Sequence, residues 1–477
     1  MNNVLVLINN AIFAKFFISL SANLKMLGYE VTIICDSSYT YEKFDIESLG
    51  IESIIFTDYF INKADSDELL QKQNLKDQWV SHADYDRMKY FGFSYKNKPH
   101  FLNYYNAALF SFFTELFDSK QYHAIIYENV SNALSYAAYQ VGKTKGVKYL
   151  GLTASRFPGH ALFSIMDDIL AEEILAVGNR CYDEITAEDE LFLNSYMDNI
   201  INIVPDYMKT NGMSKPVFLS KLLKMRNIKT VMAAIKHSLM KSSNYDIQNG
   251  KPLIRSFNAH KRNLMRLLRS KWIKQYYTNN FNGKKYIVYP LHYHPESSTS
   301  ILAHYHDEFN LIKNIAFSLP TGYSLLVKDH MSAYGFNSLA FYREISSLPG
   351  VYIISPEKNA KELVIDSIGV ITLTSTVGYE AAILDKPVVV FGDVFYEKHK
   401  RVLKLSNYDQ ISNAIDYIIN SSSESKNTDA SLDNKQFLYG YYKKCFPFDM
   451  NYTSNKEKRE EDARYISIMI DKELRSE

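Results

Sequence analysis

Polar side chains follow four predicted strands in the C-terminal half of the chain, at the point where each strand ends. These strands are Tyr286–Tyr289, Ser324–Val327, Val370–Leu373 and Val388–Phe391. The polar residues after them are His292, His294, Glu296, Lys328, Asp329, His330, Thr374–Glu380, Gly392, Asp393 and Tyr396. Ligands of open parallel sheets bind beyond the carboxyl ends of the strands. The sequence therefore predicts one binding site along this edge.

The segment Thr374–Glu380 has the composition of an anion site. Ser375, Thr376 and Gly378 open a predicted helix, whose free N–H groups and positive dipole end attract negative charge. Plain N-capping by Ser375 or Thr376 is the alternative. Glu380 could accept hydrogen bonds from a ribose or sugar, or could be a first-turn acid that the helix dipole favours.

Lys328 and His330 end a neighbouring strand and would add positive charge beside the same anion. The alternative is that both are ordinary solvated residues. We expect the carboxyl edge of the sheet to bind an anionic group such as a phosphate.

Two His-x-His pairs, His292/His294 and His304/His306, suggest a metal site only weakly, because a metal needs further ligands around it. A phosphate or base contact by one histidine, or a structural role, remains open. No GxGxxG motif follows the first strand, where Asn9-Asn10-Ala11-Ile12 stands, and no P-loop lysine motif is present. The sequence therefore predicts no bound metal and no dinucleotide cofactor.

Strands and helices alternate at both ends of the chain, which predicts two parallel α/β domains. We expect an N-terminal α/β domain over 1–160, a mostly helical segment over 161–280 and a C-terminal α/β domain over 281–420. The Ser/Asn/Asp-rich stretch Ser421–Lys435 is predicted to be a surface loop. The rest of the 421–477 region, with its charged run Lys456–Asp462, is predicted to contain an exposed helix.

Basic residues are concentrated in the helical segment. Residues 207–277 contain 16 Lys and Arg and one acidic residue, Asp246, although the whole chain has a net charge of only +1. Leu264, Leu267 and Leu268 lie among the basic residues of Lys261–Lys274. One interpretation is an amphipathic basic helix at an anionic membrane surface. The other is a helix that covers a domain, with its Lys and Arg side chains solvated.

The composition of the 477-residue chain is that of an ordinary globular protein, with 46% hydrophobic and 22% charged residues. It excludes global disorder, collagen and coiled coil. Three widely spaced cysteines argue against a disulfide framework and predict a reducing compartment, hence a cytoplasmic location. No apolar run reaches the length of a transmembrane helix.

The second domain resembles the capsule polysaccharide synthesis family of bacterial glycosyltransferases. The resemblance rests on Pro290–Glu296, Leu319-Pro320, Val327–His330, Thr374–Ala382 and Lys386–Val388, and in the first domain on Glu128-Asn129 and Ser155–Gly159. Met331 stands where the family's Lys-x-His-Pro motif has its proline. The resemblance implies a GT-B fold: two Rossmann-like parallel α/β domains that face each other across a cleft, here with the helical basic segment between them.

The resemblance also implies roles for these residues. Glu128, at a strand end of the first domain, is the candidate base or nucleophile, and Arg156 would hold an acceptor carboxylate or phosphate. Their alternatives are a strand-end acid that contacts a nearby N–H group and a surface ion pair. His330 is the third candidate catalytic residue. The residues assigned to the donor nucleotide are His292, His294, Glu296, Lys328, Ser375, Thr376, Gly378 and Glu380.

The leading hypothesis is a metal-independent glycosyltransferase that uses a nucleotide-sugar donor. Relatives that transfer 3-deoxy-octulosonate (Kdo) make a CMP-linked donor one possibility. The acceptor would be a glycan or glycolipid of a capsule or lipopolysaccharide, reached from the cytoplasmic side of the membrane. Two alternatives are an enzyme that resembles nucleotide-sugar 2-epimerases and a non-catalytic subunit of a polysaccharide assembly complex. Nucleic-acid binding is not expected, because no RNA-binding signature is present.

Overall fold

Two β-sheets, each covered by helices, organise the chain, and this confirms the expected α/β class with two parallel-strand sheets. The computed structural model describes residues 3–63, 77–95, 100–204, 228–281, 283–303, 307–423, 429–451 and 454–475. The second predicted histidine pair, His304 and His306, lies outside these residues.

The first sheet has seven strands in the order β13-β6-β5-β4-β1-β2-β3. Strands β1 to β5 pair in parallel, whereas β6 and β13 add an antiparallel edge that the sequence pattern did not predict. The strands are β1 Asn3–Ile8, β2 Glu30–Cys35, β3 Glu52–Ile55, β4 Ala124–Glu128, β5 Lys148–Ala154, β6 His160–Phe163 and β13 Cys445–Pro447.

The helices of this domain pack on a sheet whose central strands are nearly continuous apolar runs, as expected for strands buried on both faces. Gly28 follows the first helix with φ +92° and lets the chain turn back into β2. The helices are α1 Ala14–Met26, α2 Ser38–Lys43, α3 Phe56–Lys63, α4 Gln78–Lys89, α5 Phe101–Ser119 and α6 Ala133–Thr144.

Among the described residues between the domains, 164–204 and 228–281, most are helical, as predicted. The spacing of Thr186 and Asp189 predicts a capping box, and the structure has this capping box at the start of α8. The helices described here are α7 Asp167–Cys181, α8 Ala187–Asp198, α9 Ile228–Leu239 and α10 Pro252–Ile273.

The second sheet is parallel throughout, in the order β12-β11-β10-β7-β8-β9. Four of its six strands are those predicted above, and the apolar run Val351–Ile354 predicts the fifth. The sixth, β12, has three residues at the sheet edge and too short an apolar pattern to signal a strand. The strands are β7 Lys285–Pro290, β8 Tyr323–Lys328, β9 Val351–Ile354, β10 Gly369–Thr372, β11 Val388–Val390 and β12 Val402–Lys404.

The sequence pattern predicts one helix over Ser298–Ser318, but the structure has two: α11 ends at Ser300, and α12 begins at Glu308 with an Asp307 cap. The helices of this domain are α11 Ser297–Ser300, α12 Glu308–Ser318, α13 Leu339–Ser346, α14 Ala360–Ile365, α15 Thr376–Ile383 and α16 Ile411–Ser423.

The C-terminal part of the chain returns to the first domain, which corrects two expectations. Most of the predicted loop Ser421–Lys435 belongs to α16 and to α17, Asp429–Lys443. The predicted exposed helix, α18 (Lys456–Arg475), packs on α1 and buries Ala463, Ile466 and Ile470. The spacing of these three residues forms a narrow apolar stripe that the surrounding charges obscured in the sequence.

Candidate active site

A buried carboxylate, Glu308, organises the histidines at the end of β7. Its Oε1 accepts hydrogen bonds from His292 Nδ1 at 2.8 Å and from the Tyr289 hydroxyl at 3.1 Å. On the other side of the ring, His292 Nε2 accepts from the Thr374 N–H at 3.2 Å. Both ring nitrogens of His292 are therefore used inside the protein. This histidine holds the loop after β10 against α12 and is a positioning residue in the structure.

His294 contacts the second oxygen of the Glu308 carboxylate. Its Nε2 lies 3.0 Å from Glu308 Oε2. Burial alone would lower the pKa of His294, but the Glu308 carboxylate outweighs it and raises this pKa. Burial alone would likewise raise the pKa of Glu308, yet the two histidines lower it to about 2. At neutral pH Glu308 is therefore ionised, and its charge stabilises the protonated form of His294 relative to the neutral form.

The charges at the end of β8 differ from the expectation. Lys328 is 7% exposed, and its Nζ donates to the carbonyl oxygens of Asp329 at 2.8 Å and Pro356 at 3.0 Å. Burial lowers its pKa to about 8. Burial and the charges of His292 and Lys328 lower the pKa of His330 to about 4.

His330 is therefore neutral at pH 7 and cannot supply the positive charge expected of it. Its Nδ1 accepts from the Ser332 N–H at 3.1 Å, which leaves the proton on Nε2. His330 can thus donate one hydrogen bond. Through its two hydrogen bonds, Lys328 connects the loops that follow β8 and β9.

At the start of α15 the structure shows the N-capping that was the alternative prediction for the Ser/Thr/Gly segment. Ser375 is the N-cap, and its hydroxyl accepts from the Val377 N–H at 3.2 Å. Thr376 is the first helical residue. A side chain at Gly378 would place its Cβ 2.5 Å from the Tyr396 hydroxyl oxygen, so only glycine fits there. The cap takes the Val377 N–H, and the Gly378 N–H donates to the Ser375 carbonyl oxygen at 3.0 Å.

Glu380 lies on the buried side of α15 and does not face this edge. It is 7% exposed, and its Oε1 lies 3.2 Å from Lys361 Nζ. The same ammonium group also donates to the Ile200 carbonyl oxygen at 2.7 Å. Glu380 thus ties α14 and α15 to the helical segment, and the structure does not place it for a ribose contact.

Glu128 ends β4 at the carboxyl edge of the first sheet, as predicted. Its side chain is half-buried and accepts a hydrogen bond from the Ser131 hydroxyl. Burial raises the pKa of Glu128 to about 7, although Ser131 and the Arg87 guanidinium oppose the shift. A carboxylate with a pKa near 7 is well matched to general-base work.

Arg156 lies where the two domains meet. Its backbone N–H donates to the Tyr441 hydroxyl at 3.0 Å, and its guanidinium carbon lies 5.6 Å from the centre of the Phe395 ring. Burial raises the pKa of Asp167 to about 6 and also raises those of Glu296 and Glu380, and the Arg156 charge opposes all three shifts. Its charge is thus shared among three protein carboxylates rather than held in a surface ion pair.

Contacts between the domains bring the two sets of predicted residues toward one boundary. Helix α4 of the first domain packs on α11 of the second. Its Asp86 acts electrostatically on His294, and its Arg87 acts on Glu128. Glu296 caps α11, and the nearby His294 and Arg156 both oppose the rise in its pKa that burial causes. The boundary therefore joins the ends of β4, β5 and β7.

Helix α10 crosses the same boundary. The Arg262 guanidinium lies 5.4 Å from the Phe91 ring centre of the first domain and 4.6 Å from that of Phe336 in the second. It also donates to the His294 carbonyl oxygen at 3.3 Å. The interpretation in which α10 presents solvated basic residues is wrong for its arginines, because they face the protein.

Sequence reasoning missed Glu308, Lys361 and the inward arginines. Glu308 was missed because only strand ends were considered, although the first turn of a helix after a parallel strand lies at the same sheet edge. Considering helix starts as well would have found it. Within the described ranges, no group of three or more His, Cys, Asp or Glu side chains is placed to hold a metal ion.

Among the comparisons with known proteins, one family model matches part of the chain. Residues 193–399 match the family model described as "Capsule polysaccharide biosynthesis protein". No curated protein matches the chain. Similar solved structures include KpsC, a beta Kdo 2,7 transferase from Thermosulfurimonas dismutans (12% identity, 69% of this chain and 78% of that chain, TM-score 0.33).

Another is UDP-GlcNAc 2-epimerase from Methanocaldococcus jannaschii (10% identity, 98% of this chain and 99% of that chain, TM-score 0.25). TM-scores this low carry no functional conclusion. The family model spans most of the second sheet, including the strand ends with His292, His330 and Ser375. Residues 193–399 are thus similar to the capsule polysaccharide biosynthesis family over somewhat less than half of the chain.

Proposed function

We propose that this protein is a glycosyltransferase of surface polysaccharide synthesis, with a nucleotide sugar as donor and a glycan or glycolipid as acceptor. One observation carries the proposal: a carboxylate with a pKa near 7, Glu128, reaches the same domain boundary as His294, whose pKa is raised, and the start of α15. Glycosyl transfer needs a base or nucleophile on one side of the sugar and stabilised negative charge on the other.

In this proposal the nucleotide phosphates bind at the carboxyl edge of the second sheet. The positive end of the α15 dipole and the side chain of His294 would stabilise the charge that develops on the leaving phosphate. His330 would donate a hydrogen bond from Nε2. His292 and Lys328 act through the loops that they hold, and not by direct contact.

Glu128 would take the proton of the acceptor hydroxyl, or attack the sugar as a nucleophile if the reaction retains configuration. Both roles require the ionised carboxylate, which a pKa of about 7 makes available at neutral pH. The protein cations would replace a metal ion in phosphate stabilisation. Turnover that continues in excess EDTA is the expected result for this part of the proposal.

A CMP-linked sugar is one donor that fits the proposal, and a cytoplasmic location stays a prediction. Cys35, Cys181 and Cys445 are free thiols, as expected in a reducing compartment. We propose that residues 1–160 form the acceptor domain and residues 281–420 the donor domain.

Thermal-shift measurements with CMP, UDP, GDP and TDP test donor binding. Nucleotide at a hundredfold excess over its dissociation constant stabilises the native state by about 2.7 kcal/mol, and this raises the midpoint of thermal unfolding. We expect one nucleotide to stabilise the protein and His294→Ala to reduce this shift. The control, His123→Ala, removes an exposed histidine at the opposite edge of the first sheet.

Turnover of the matching nucleotide sugar then separates the candidate functions. A transferase releases nucleotide in an acceptor-dependent manner, whereas an epimerase converts the nucleotide sugar with no acceptor. Failure of all four nucleotides to bind would contradict the proposal and favour a non-catalytic assembly subunit.

A further inference from the structure

Helix α10 is amphipathic, but its arginines face the protein. On an ordinary surface helix the charged side faces water. The arginines donate to main-chain carbonyl oxygens of the helical segment and of the second domain: Arg255 to Gln248 at 3.0 Å, Arg262 to His294 at 3.3 Å, Arg266 to Tyr334 at 2.8 Å and Arg269 to Phe336 at 3.0 Å. These hydrogen bonds fix the rotation of the helix about its axis.

The apolar side of α10 faces outward as a consequence. Its exposed apolar side chains lie on one side of the helix, at intervals of one, three, seven, four and four residues, and the exposed Lys261 stands within the seven-residue interval. They are Leu253 (42% exposed), Ile254 (43%), Phe257 (68%), Leu264 (50%), Leu268 (53%) and Trp272 (64%). Helix α9 packs beside α10 and exposes further apolar side chains, among them Met232 (65%), Ile235 (44%) and Leu239 (83%). These nine residues are the outer face.

Apolar surface on this scale is unusual on a protein that works alone in water and marks an interaction site. Lysines lie on the same stripe: Lys261 and Lys271 are exposed within α10, and Lys274 follows its end. No acidic residue occurs in Pro252–Ile273. The outer face therefore combines aliphatic and aromatic side chains with positive charge and carries no negative charge along α10.

We propose that the outer face docks on an anionic lipid bilayer. Phe257, Trp272 and the leucines would enter the boundary between headgroups and acyl chains, and the lysines would contact anionic headgroups. Among the described residues, no helix is long and apolar enough to cross a membrane, so α10 would lie in the plane of the surface.

Charge favours a bilayer over a second copy of this chain as the occupant. In a two-fold symmetric dimer the same patch meets itself. Such a dimer through α10 would bring the lysines of one copy close to those of the other, with no carboxylate on the helix to offset them. A bilayer that contains anionic lipid supplies the complementary charge.

Docking through α10 would also hold the domain boundary beside the lipid. The inner side of α10 contacts the His294 carbonyl oxygen and, through Arg266 Nη2, the Met331 carbonyl oxygen at 3.2 Å. Both residues belong to the loops of the candidate active site. The inference that a glycolipid acceptor reaches the boundary from this surface rests on the proposed function, whereas the docking itself does not.

Sedimentation with vesicles tests the docking. We expect the full-length protein to bind vesicles of phosphatidylcholine with phosphatidylglycerol, and to bind phosphatidylcholine alone at least about tenfold more weakly. The triple variant Phe257→Ser/Leu264→Ser/Leu268→Ser should lose binding by about tenfold or more. The matched control Leu191→Ser/Phe317→Ser removes side chains that are 71% and 65% exposed elsewhere on the surface, and it should bind like the parent protein.

A second readout locates the contact. The chain has two tryptophans, so Trp79→Phe leaves Trp272 as the sole reporter. Its emission should shift to shorter wavelength with anionic vesicles. Lys261→Glu/Lys271→Glu should weaken binding to the anionic vesicles and leave the weak binding to phosphatidylcholine unchanged.

Three results would overturn the proposal: no binding to anionic vesicles, equal loss in the triple variant and its control, or an unshifted Trp272 emission in the bound protein. A dimer in solution that the triple variant dissociates, together with absent vesicle binding, would assign the outer face to a second copy. A nucleotide thermal shift measured without vesicles shows that each variant is folded, and it tests the proposed function separately.

Discussion

Replacing Glu128 with Gln should stabilise the protein above pH 7 and at the same time abolish turnover. Burial at the domain boundary raises the pKa of this carboxyl from its usual 4.5 to about 7. The native state therefore holds a proton on Glu128 between about pH 4.5 and 7, where the unfolded chain has lost it. As pH rises through this window, the native state loses stability relative to the unfolded state.

The size of the effect follows from the two pKa values. Each pKa unit corresponds to about 1.4 kcal/mol, so the ionised Glu128 costs the native state about 3 kcal/mol above pH 7. Glutamine keeps an oxygen that can accept from the Ser131 hydroxyl and has no charge to bury. We expect Glu128→Gln to raise the free energy of unfolding by up to about 3 kcal/mol at pH 8, and by little near pH 4.

Urea unfolding at the two pH values measures this difference. The control Glu47→Gln removes an exposed carboxylate of the same domain and should change stability little at either pH. Nucleotide release from the donor, measured in parallel, should fall by about 10²–10⁴-fold in Glu128→Gln, the usual contribution of a general base. The parent rate should rise with pH through about 7.

A loss of stability in Glu128→Gln at pH 8 would refute this reasoning, because it would make the carboxylate a structural hydrogen-bond acceptor. A gain that is equal at both pH values would also refute it. Higher stability together with lost turnover is the combination expected of a charge retained for chemistry.

Three further substitutions test the framework around the site. Glu308→Gln should cost about 3 kcal/mol at neutral pH in urea unfolding, and the cost should shrink as pH falls from 4.5 toward 2, since the parent carboxylate loses its stabilising charge in that window. Lys361→Met should cost about 3 kcal/mol because it leaves Glu380 buried without its cation, and adding Glu380→Gln should recover part of the loss. Gly378→Ala should cost about 1–3 kcal/mol, and Tyr396→Phe in the same chain should reduce that cost by removing the hydroxyl oxygen that the new Cβ approaches; equal stability of the single and double variants would contradict this contact.

The local pattern of the sequence was enough to predict most elements of both sheets. The buried strands β1 and β9 were predicted with their observed bounds, Asn3–Ile8 and Val351–Ile354. Apolar runs between turn residues report burial directly, so they need no knowledge of the partner strand. The antiparallel edge formed by β6 and β13 was missed because β13 lies nearly 300 residues later in the chain, and no local pattern reports such a pairing.

For the candidate site, too, local sequence predicted some features and missed those that depend on contacts between distant residues. Residue types at strand ends indicated which side chains reach the carboxyl edges, and Glu128 does end its strand there. Protonation states depend on desolvation and on neighbours brought together by folding. His330 was expected to be a cation, but burial beside His292 and Lys328 makes it neutral, whereas Glu308 favours the protonated form of His294.

Helix α10 shows the same limit on a larger scale. The periodicity of its leucines and arginines is a local property, and it indicated an amphipathic basic helix as one of two interpretations. Which side of the helix faces water depends on tertiary packing. Carbonyl oxygens of the second domain accept hydrogen bonds from the arginines, and these hydrogen bonds turn the apolar side outward. Their positions depend on the packing of two distant segments, which no window of sequence contains.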